Sequence, residues 1–523
     1  MLVLVSGRIQ TIDPEIPYAE WMVLQDEYIV AVGLGESPTV RYDKMVDYGD
    51  YTIVPGFNDA HNHLLAYGLK LGQVNLRGVT SIPEIAARIQ SQGNTPIVRA
   101  YGYNQVLLGE GRHPKIEELD RMVSDQPLII AHTSGHMLVV NSRALEMAGI
   151  DATTQNPSGG VIDRDIHGDP TGLFLENAQD LINAALPVPT LDDLVAAIGR
   201  ASTLYASWGL TSTQEAGVGW HATNEITAWQ EAFHRGILGT RALLMPDVGS
   251  ISWEEGEPFL YQGMRSGFGD IHLRLGPVKI FSDGSMIGRT AAMREPYEES
   301  DRSGMLIWEP DQLRSMIVRL NREGWRVAVH AIGDRAISTV LDSYEAAARE
   351  GDIRKMRHRI EHAGVLEDGL LDRCRTLGVL PVTQQHFIGE LGDTFYHNIG
   401  DRVKHSYRQK SILNAGIVLA GSSDCFVVDG RPLLGIHDAV NQLTASGKAY
   451  APAEALTVAE ALEAYTYGSA YVAQEEHYKG RLRRGMLADF VVLKDNPMEV
   501  DAMSIRDIKV VATYCGGRNT YNG

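Results

Sequence analysis

The sequence predicts an α/β chain, a (β/α)8 TIM barrel with a large insertion after strand 1 and a small β-sandwich made from both chain termini. Three observations lead there. Between about Gly56 and Ala473, eight short β-branched or apolar runs alternate with helical stretches, the pattern of parallel strands with crossover helices. Both ends of the chain carry β-like runs with no helical pattern between them. One interval, roughly Leu71 to Leu204, is too long for a loop and has strands and helices of its own.

At the N-terminus the runs are Leu2–Val5, Trp21–Leu24, Tyr28–Val32 and Tyr51–Val54. A matching signature returns at Gly480–Leu482, Ala488–Leu493 and Val510–Tyr514, so residues 1–55 and 474–523 are assigned to one composite sandwich. Residues 56–70 and 205–473 are assigned to the barrel, with strands at Thr52–Phe57, Leu210–Gln214, Arg241–Met245, Leu273–Phe281, Arg326–His330, His358–His362, Val379–Thr383 and Ile417–Ala420. Helices follow at 310–322, 334–349, 367–377 and 457–472. The insertion, residues 71–204, holds strands at Ile97–Tyr103 and Leu128–His132, and helices at 82–92, 116–122, 141–148 and 191–205. It leaves the barrel a few residues after His63, at the C-terminal rim of strand one, and is read as an α/β lid over the mouth or else as a dimer interface.

Composition narrows the function classes. The 523 residues hold 47 Lys plus Arg against 66 Asp plus Glu, and the net charge of -19 repels phosphate backbones and anionic membrane surfaces. Neither nucleic acid nor membrane is expected as a partner. Cys374, Cys425 and Cys515 cannot make a disulfide framework, the opening Met1–Val5 lacks a basic flank, and no apolar run reaches the roughly 20 residues of a membrane span. A soluble, cytoplasmic setting is the expectation.

The chemistry is concentrated at strand ends. Val54-Pro55-Gly56-Phe57-Asn58-Asp59-Ala60-His61-Asn62-His63 is an apolar run ending in His-X-His, and in extended backbone residues i and i+2 share a face, so two imidazoles converge on one point. Lys279 lies inside Gly276-Pro277-Val278-Lys279-Ile280-Phe281, where a cation is costly unless neutralised. His330 ends strand five, His362 ends strand six, and Asp424 follows strand eight. Singly, each has an ordinary reading: a hydrogen-bonded strand-end histidine, or a helix-capping aspartate. Taken in order around the C-terminal rim of a barrel, where barrel enzymes keep their catalytic groups, the six make a metal-ligand set.

With these residues the chain resembles the amidohydrolase superfamily, in the branch of YtcJ-like proteins and N-substituted formamide deformylases. The resemblance extends over nearly the whole chain. It includes Gly135-His136-Met137, Asn141-Ser142-Arg143, Gly168-Asp169-Pro170-Thr171-Gly172, Asp283-Gly284-Ser285 with Arg289-Thr290, and Gly485-Met486-Leu487-Ala488-Asp489. The family usually has a proline near Cys425-Phe426 and Gln-Pro near Gln385; this sequence has neither. The resemblance implies a carbamate on Lys279, made from carbon dioxide, that bridges two divalent metal ions, zinc by preference with manganese or iron as substitutes.

The resemblance further implies hydrolysis of a carbon–nitrogen bond in an amide, formamide or cyclic amide by a metal-bridging hydroxide. Asp424 acts as general base and acid, with Lys279 and His330 as the other catalytic residues. A lactonase or phosphotriesterase, a one-metal enzyme and a non-catalytic scaffold are the rival readings. For substrate contacts the candidates are His136 in the lid, Arg289 for a carboxylate, and Gln384 and His386 in the strand-seven loop. Each also has a purely structural reading. A homodimer acting on a small amide-type molecule is the expected assembly.

Overall fold

The computed structural model describes residues 1–91, 95–133, 137–157, 159–247 and 263–523. They form two compact units, Met1–Tyr67 with Leu194–Gly523, and Gly68–Asp193. In chain order the strands are β1 (Leu2–Gln10), β2 (Tyr18–Gln25), β3 (Tyr28–Gly33), β4 (Lys44–Pro55), β5 (Phe57–Asn62), β6 (Val74–Asn75), β7 (Val98–Tyr103), β8 (Leu128–His132), β9 (Met137–Val140), β10 (Gly160–Arg164) and β11 (Pro170–Glu176). They continue with β12 (Leu210–Val218), β13 (Arg241–Pro246), β14 (Leu273–Leu275), β15 (Val278–Phe281), β16 (Val327–Ala331), β17 (Arg359–His362), β18 (Leu380–Gln384), β19 (Gly421–Ser422), β20 (Phe490–Leu493), β21 (Val510–Cys515) and β22 (Arg518–Asn522).

The two termini share one seven-stranded sheet, in the order β22-β21-β20-β4-β1-β2-β3. The sequence suggested a sandwich of facing sheets. The hydrogen bonding is instead continuous, because the long β4 pairs with β1 along both its halves and with β20 at Thr52–Pro55. Val5, Met22, Ile29, Ile53, Phe490, Val492 and Ala512 bury into a single cluster, and the Tyr48 and Tyr514 hydroxyls meet at 2.7 Å.

The barrel is an eight-position, TIM-like ring of parallel strands in two hydrogen-bonded arcs, β5-β12-β13-β14 and β15-β16-β17-β18-β19. Strand four is broken into β14 and β15 at Gly276-Pro277, where proline offers no N–H to the ladder. Gly276 N–H donates to the Leu244 carbonyl at 2.6 Å, and Asp247 bridges to Lys279, which closes that seam. The other seam is closed by Asp424 N–H to the His61 carbonyl at 2.8 Å and His63 N–H to the Cys425 carbonyl at 2.7 Å.

Two strand assignments shift. Thr52–Pro55 belongs to the terminal sheet and the first barrel strand is β5; Gly56 marks the change, at a point where a Cβ would sit 2.2 Å from the Thr211 side chain. The eighth strand is Gly421–Ser422, paired with Thr383 and Gln384, and Ile417–Ala420 leads into it. The helix expected over 457–472 runs as Val458–Glu463, a wider π turn at Ala464–Gly468, and Ser469–Ala473. A Cβ on Gly468 would lie 1.9 Å from the Leu419 carbonyl oxygen, so glycine is required where this helix crosses the chain entering β19.

The second unit holds a six-stranded sheet, order β10-β11-β9-β8-β7-β6, with two apolar clusters, one built on Leu76, Ile85, Tyr103 and Leu119, the other on Val140, Leu145, Ile162 and Phe174. Its boundary lies near Asp193, short of Leu204. The helix Leu191–Ser207 buries Leu194, Ile198, Ala201 and Tyr205 and belongs with the barrel unit for most of its length. Among the described residues no helix is long and apolar enough to cross a membrane.

Candidate metal centre

β5 carries His61 near its end and His63 just beyond it. Their rings lie 5.5 Å apart at 86°, and both are buried. Asp424 Oδ1 stands 3.1 Å from His63 Nε2 and 3.4 Å from His61 Nε2, and one atom from each of the three residues can be enclosed within 4.8 Å. Lys279 Nζ is 3.5 Å from His61 Nε2. The His362 ring lies 4.8 Å from that of His61 and 4.5 Å from that of His330. All six residues chosen as ligands therefore meet at one place, although they are spread over more than 350 residues of chain.

Their orientations suit a cation. His61 Nδ1 is engaged by the Glu361 carboxylate, so that nitrogen holds the ring proton and Nε2 presents a lone pair towards the Asp424 oxygen. Two acceptors facing one another at 3.4 Å is a stable arrangement with a positive ion between them. His330 Nε2–H donates to the Gly284 carbonyl at 3.0 Å, while its Nδ1 is buried without a hydrogen-bond partner. His362 donates Nδ1–H to Gln384 Oε1 at 2.8 Å, which leaves its Nε2 free to ligate. Left-handed backbone at His362 (φ 69°) and Asp424 (φ 59°) swings both side chains inward, a strained conformation of the kind kept at functional sites.

The electrostatics point the same way. Burial pulls His63 down to about 4 and His330 to about 3, and holds His362 well below its ordinary value, so these imidazoles are neutral and able to ligate. Burial likewise lowers the Lys279 amine, against the opposing pull of Glu361, Asp424 and Asp247.

Several supporting residues escaped the sequence reading. Arg359 is fully buried and donates to both oxygens of Glu361, at 2.7 and 2.9 Å, to Gln214 Oε1 at 2.6 Å and to the Ala60 carbonyl at 2.7 Å. Asp59 accepts from the backbone of His61 and of Ser423, both at 3.1 Å, and so ties strand one to the segment carrying Asp424. Asp283 accepts three backbone N–H groups, from Ala292, Ile332 and Gly333, fixing the loop whose Gly284 carbonyl orients His330. Burial pushes its carboxyl up to about 7.

Three proposed substrate contacts are corrected. Gln384 is fully buried behind His362 and bonds to it and to Ser422; it positions a ligand and does not reach the cavity. The Arg289 guanidinium is taken up by Asn398 at 2.8 Å and the Glu298 carbonyl, off the cavity wall. His386 is clamped by Asp438 at 2.6 Å and Glu390 at 3.4 Å; burial works against its charge, yet the two carboxylates outweigh it and raise the imidazole to about 9. His136 lies outside the described residues.

Above the ligands is a cavity of about 280 Å³, with His63, Lys279, His330, His362 and Asp424 in its wall. Trp220 and Phe281 flank it on one side, Phe387, Phe395 and Tyr407 on another.

The model of the amidohydrolase family matches residues 44–521. The chain is 30% identical over 540 residues to YtcJ of Bacillus subtilis (strain 168), named as a candidate amidohydrolase, covering 99% of this chain and 98% of that protein. It is 27% identical over 543 residues to the N-substituted formamide deformylase of Arthrobacter pascens, covering 99% and 97%. The crystal structure of a metal-dependent hydrolase from Pyrococcus furiosus superposes with a TM-score of 0.79 at 29% identity, covering 95% of this chain and all of that one. With its ligand-bearing strand ends converging on one cavity, the chain belongs to the amidohydrolase family and is a hydrolase of its metal-dependent type.

Proposed function

We propose that the enzyme hydrolyses a carbon–nitrogen bond other than a peptide bond, in a small amide, formamide or cyclic amide. The observation that carries this reading is the convergence of His61, His63, Lys279, His330, His362 and Asp424 around one gap beneath one cavity. Likeness to a formamide deformylase over the full length adds to it.

The six residues would hold two divalent ions, zinc being well suited to imidazole and carboxylate, with manganese or iron able to replace it. When bound, such a pair supplies a water activated at neutral pH and polarises the substrate carbonyl. Lys279 would join the set as a carbamate. Its buried, depressed amine forms the new N–C bond to carbon dioxide and releases one proton, turning a costly cation into an anion. Asp424, close to His61 and His63, would take the proton of the attacking water on its carboxylate and return it to the leaving nitrogen.

The tightness of His61, His63 and Asp424 favours a second version, with one ion held by these three alone. Elemental analysis after gentle purification separates the two: close to two ions per chain supports the pair, and a fixed value near one despite added bicarbonate and metal rejects it. Turnover is tested by offering the metal-loaded enzyme N-formyl, N-acyl, cyclic amide and lactone substrates. Hydrolysis confined to lactones or esters would overturn the carbon–nitrogen assignment.

A further inference from the structure

We propose that the part of the substrate lying beyond the scissile bond is uncharged and apolar, of about the size of one ring. This rests on the hydrolase reading above and adds to it the chemical class of the substrate.

The walls of the cavity are built from the metal ligands outward. The Trp220 ring lies 4.8 Å from His63 at 31° and 5.7 Å from Phe281, while Phe387 lies nearly parallel to His362, at 12° and 6.4 Å, with Tyr407 5.5 Å further on. Each of these two ligand rings is thus backed by an aromatic surface. The rim keeps the same character: Ile287, Phe426 and Val427 are 44%, 37% and 45% exposed, although apolar side chains grouped around an opening are retained where an apolar ligand covers them.

Among the described residues, the cavity wall carries no charged side chain outside the metal centre. Among the described residues lining the cavity, the only ionisable groups apart from the Tyr407 phenol are those of the metal centre, and Ser285 and Tyr407 supply the only hydroxyls. Two neighbouring cations are engaged elsewhere, Arg289 by Asn398 Oδ1 and the Glu298 backbone carbonyl, and His386 by the Asp438 and Glu390 carboxylates. The Trp220 indole N–H, the other donor on the wall, is taken by Asp247. A carboxylate or ammonium on the substrate would lose its water and gain no counter-ion from the described wall, which is among the costliest burials a site can impose. The volume, about 280 Å³, lies just below the range of about 300–1,000 Å³ for small-molecule sites, enough for one ring and the scissile group.

The test compares three matched ligands on the metal-loaded enzyme: acetanilide, 4-acetamidobenzoate and 4-acetamidobenzylamine, which share the amide and differ in the charge at the far end of the ring. Affinities are measured by calorimetry, so the result does not depend on turnover. Acetanilide should bind at least about 30-fold more tightly than either charged analogue. Ile287→Lys, at the half-exposed rim, should raise affinity for the benzoate by about 10-fold and leave acetanilide within about 2-fold. Charged analogues that bind as well as acetanilide, no detectable binding of acetanilide, or no gain for the benzoate in the lysine variant would each overturn the proposal. A retained binding order without hydrolysis of any amide would count against the carbon–nitrogen reading and leave the apolar class standing.

Discussion

The Glu361 carboxylate holds His61 by Nδ1, across 300 residues of sequence, and both side chains are fully sealed from solvent. Behind Glu361, the Arg359 guanidinium engages both carboxylate oxygens, so the metal-facing nitrogen of His61 is set by a buried relay rather than by its own strand alone. Glu361→Gln should weaken metal affinity about 10- to 100-fold, the usual cost of losing a partner behind a ligating histidine. It also leaves Arg359 as an uncompensated buried charge, which should lower stability by about 3–5 kcal/mol. Chelator competition and thermal unfolding read the two effects separately. Unchanged metal affinity would reduce the relay to a packing role.

Lys279→Ala should lose metal and activity, and a short carboxylic acid in the buffer should restore part of both. A diffusible carboxylate can occupy the space left by a truncated carbamate. Lys279→Arg should show no rescue, because guanidinium stays charged and cannot carry the adduct. Full activity in the arginine variant would remove Lys279 from the metal set.

Asp424→Asn should cost about 10²- to 10⁴-fold in kcat, the range for loss of a general base, while retaining most of the bound metal. His61→Ala and His63→Ala should instead fail through metal loss. Near-normal turnover in Asp424→Asn would mean that another group moves the proton.

His358, four residues before the ligand His362, provides a pH test away from the metal. Burial first, then the neighbouring Arg326, pulls it down to about 3; its Nδ1 accepts the Val327 N–H at 3.1 Å and its ring stacks on Tyr344. Its native pKa lies below the unfolded value of about 6.5, so as pH falls below 6.5 the unfolded chain takes up a proton that the native state refuses. Stability conferred above pH 6.5 is therefore lost on acidification. Denaturant unfolding of wild type and His358→Asn should show the wild-type advantage shrinking by about 1.4 kcal/mol per pH unit between pH 6.5 and 4. A constant difference across that range would show that His358 is protonated in the native state.

That the six candidate ligands meet was legible because five of them stand at or just past a strand end, with Lys279 inside its strand, in an order that a barrel rim converts into proximity. The terminal sheet was legible as β structure, but its continuity was not, since it depends on β4 pairing with both β1 and β20. Arg359 and Glu361 did leave a signal: two charges at i and i+2 in the buried strand His358-Arg359-Ile360-Glu361-His362 must be paired with something. Strict alternation would place His362 on the opposite face from Glu361, and only the left-handed turn at His362 brings both to the interior. Arg289 and His386 looked available because their partners, Asn398 and Asp438, lie 109 and 52 residues away. Of the groups that engage them by side chain, only Glu390, four residues after His386, is local.

The closing of the ring also fixes a timetable for synthesis. The strand that carries His61 and His63 emerges well before its neighbours across the seam, Asp424 and Cys425, and before the strand that braces its entry, Phe490–Leu493 against Thr52–Pro55. A nascent polypeptide therefore carries its first two ligands through most of translation with neither the far side of the site nor the brace in place. The braced centre can be completed only when the chain through Leu493 has left the ribosome.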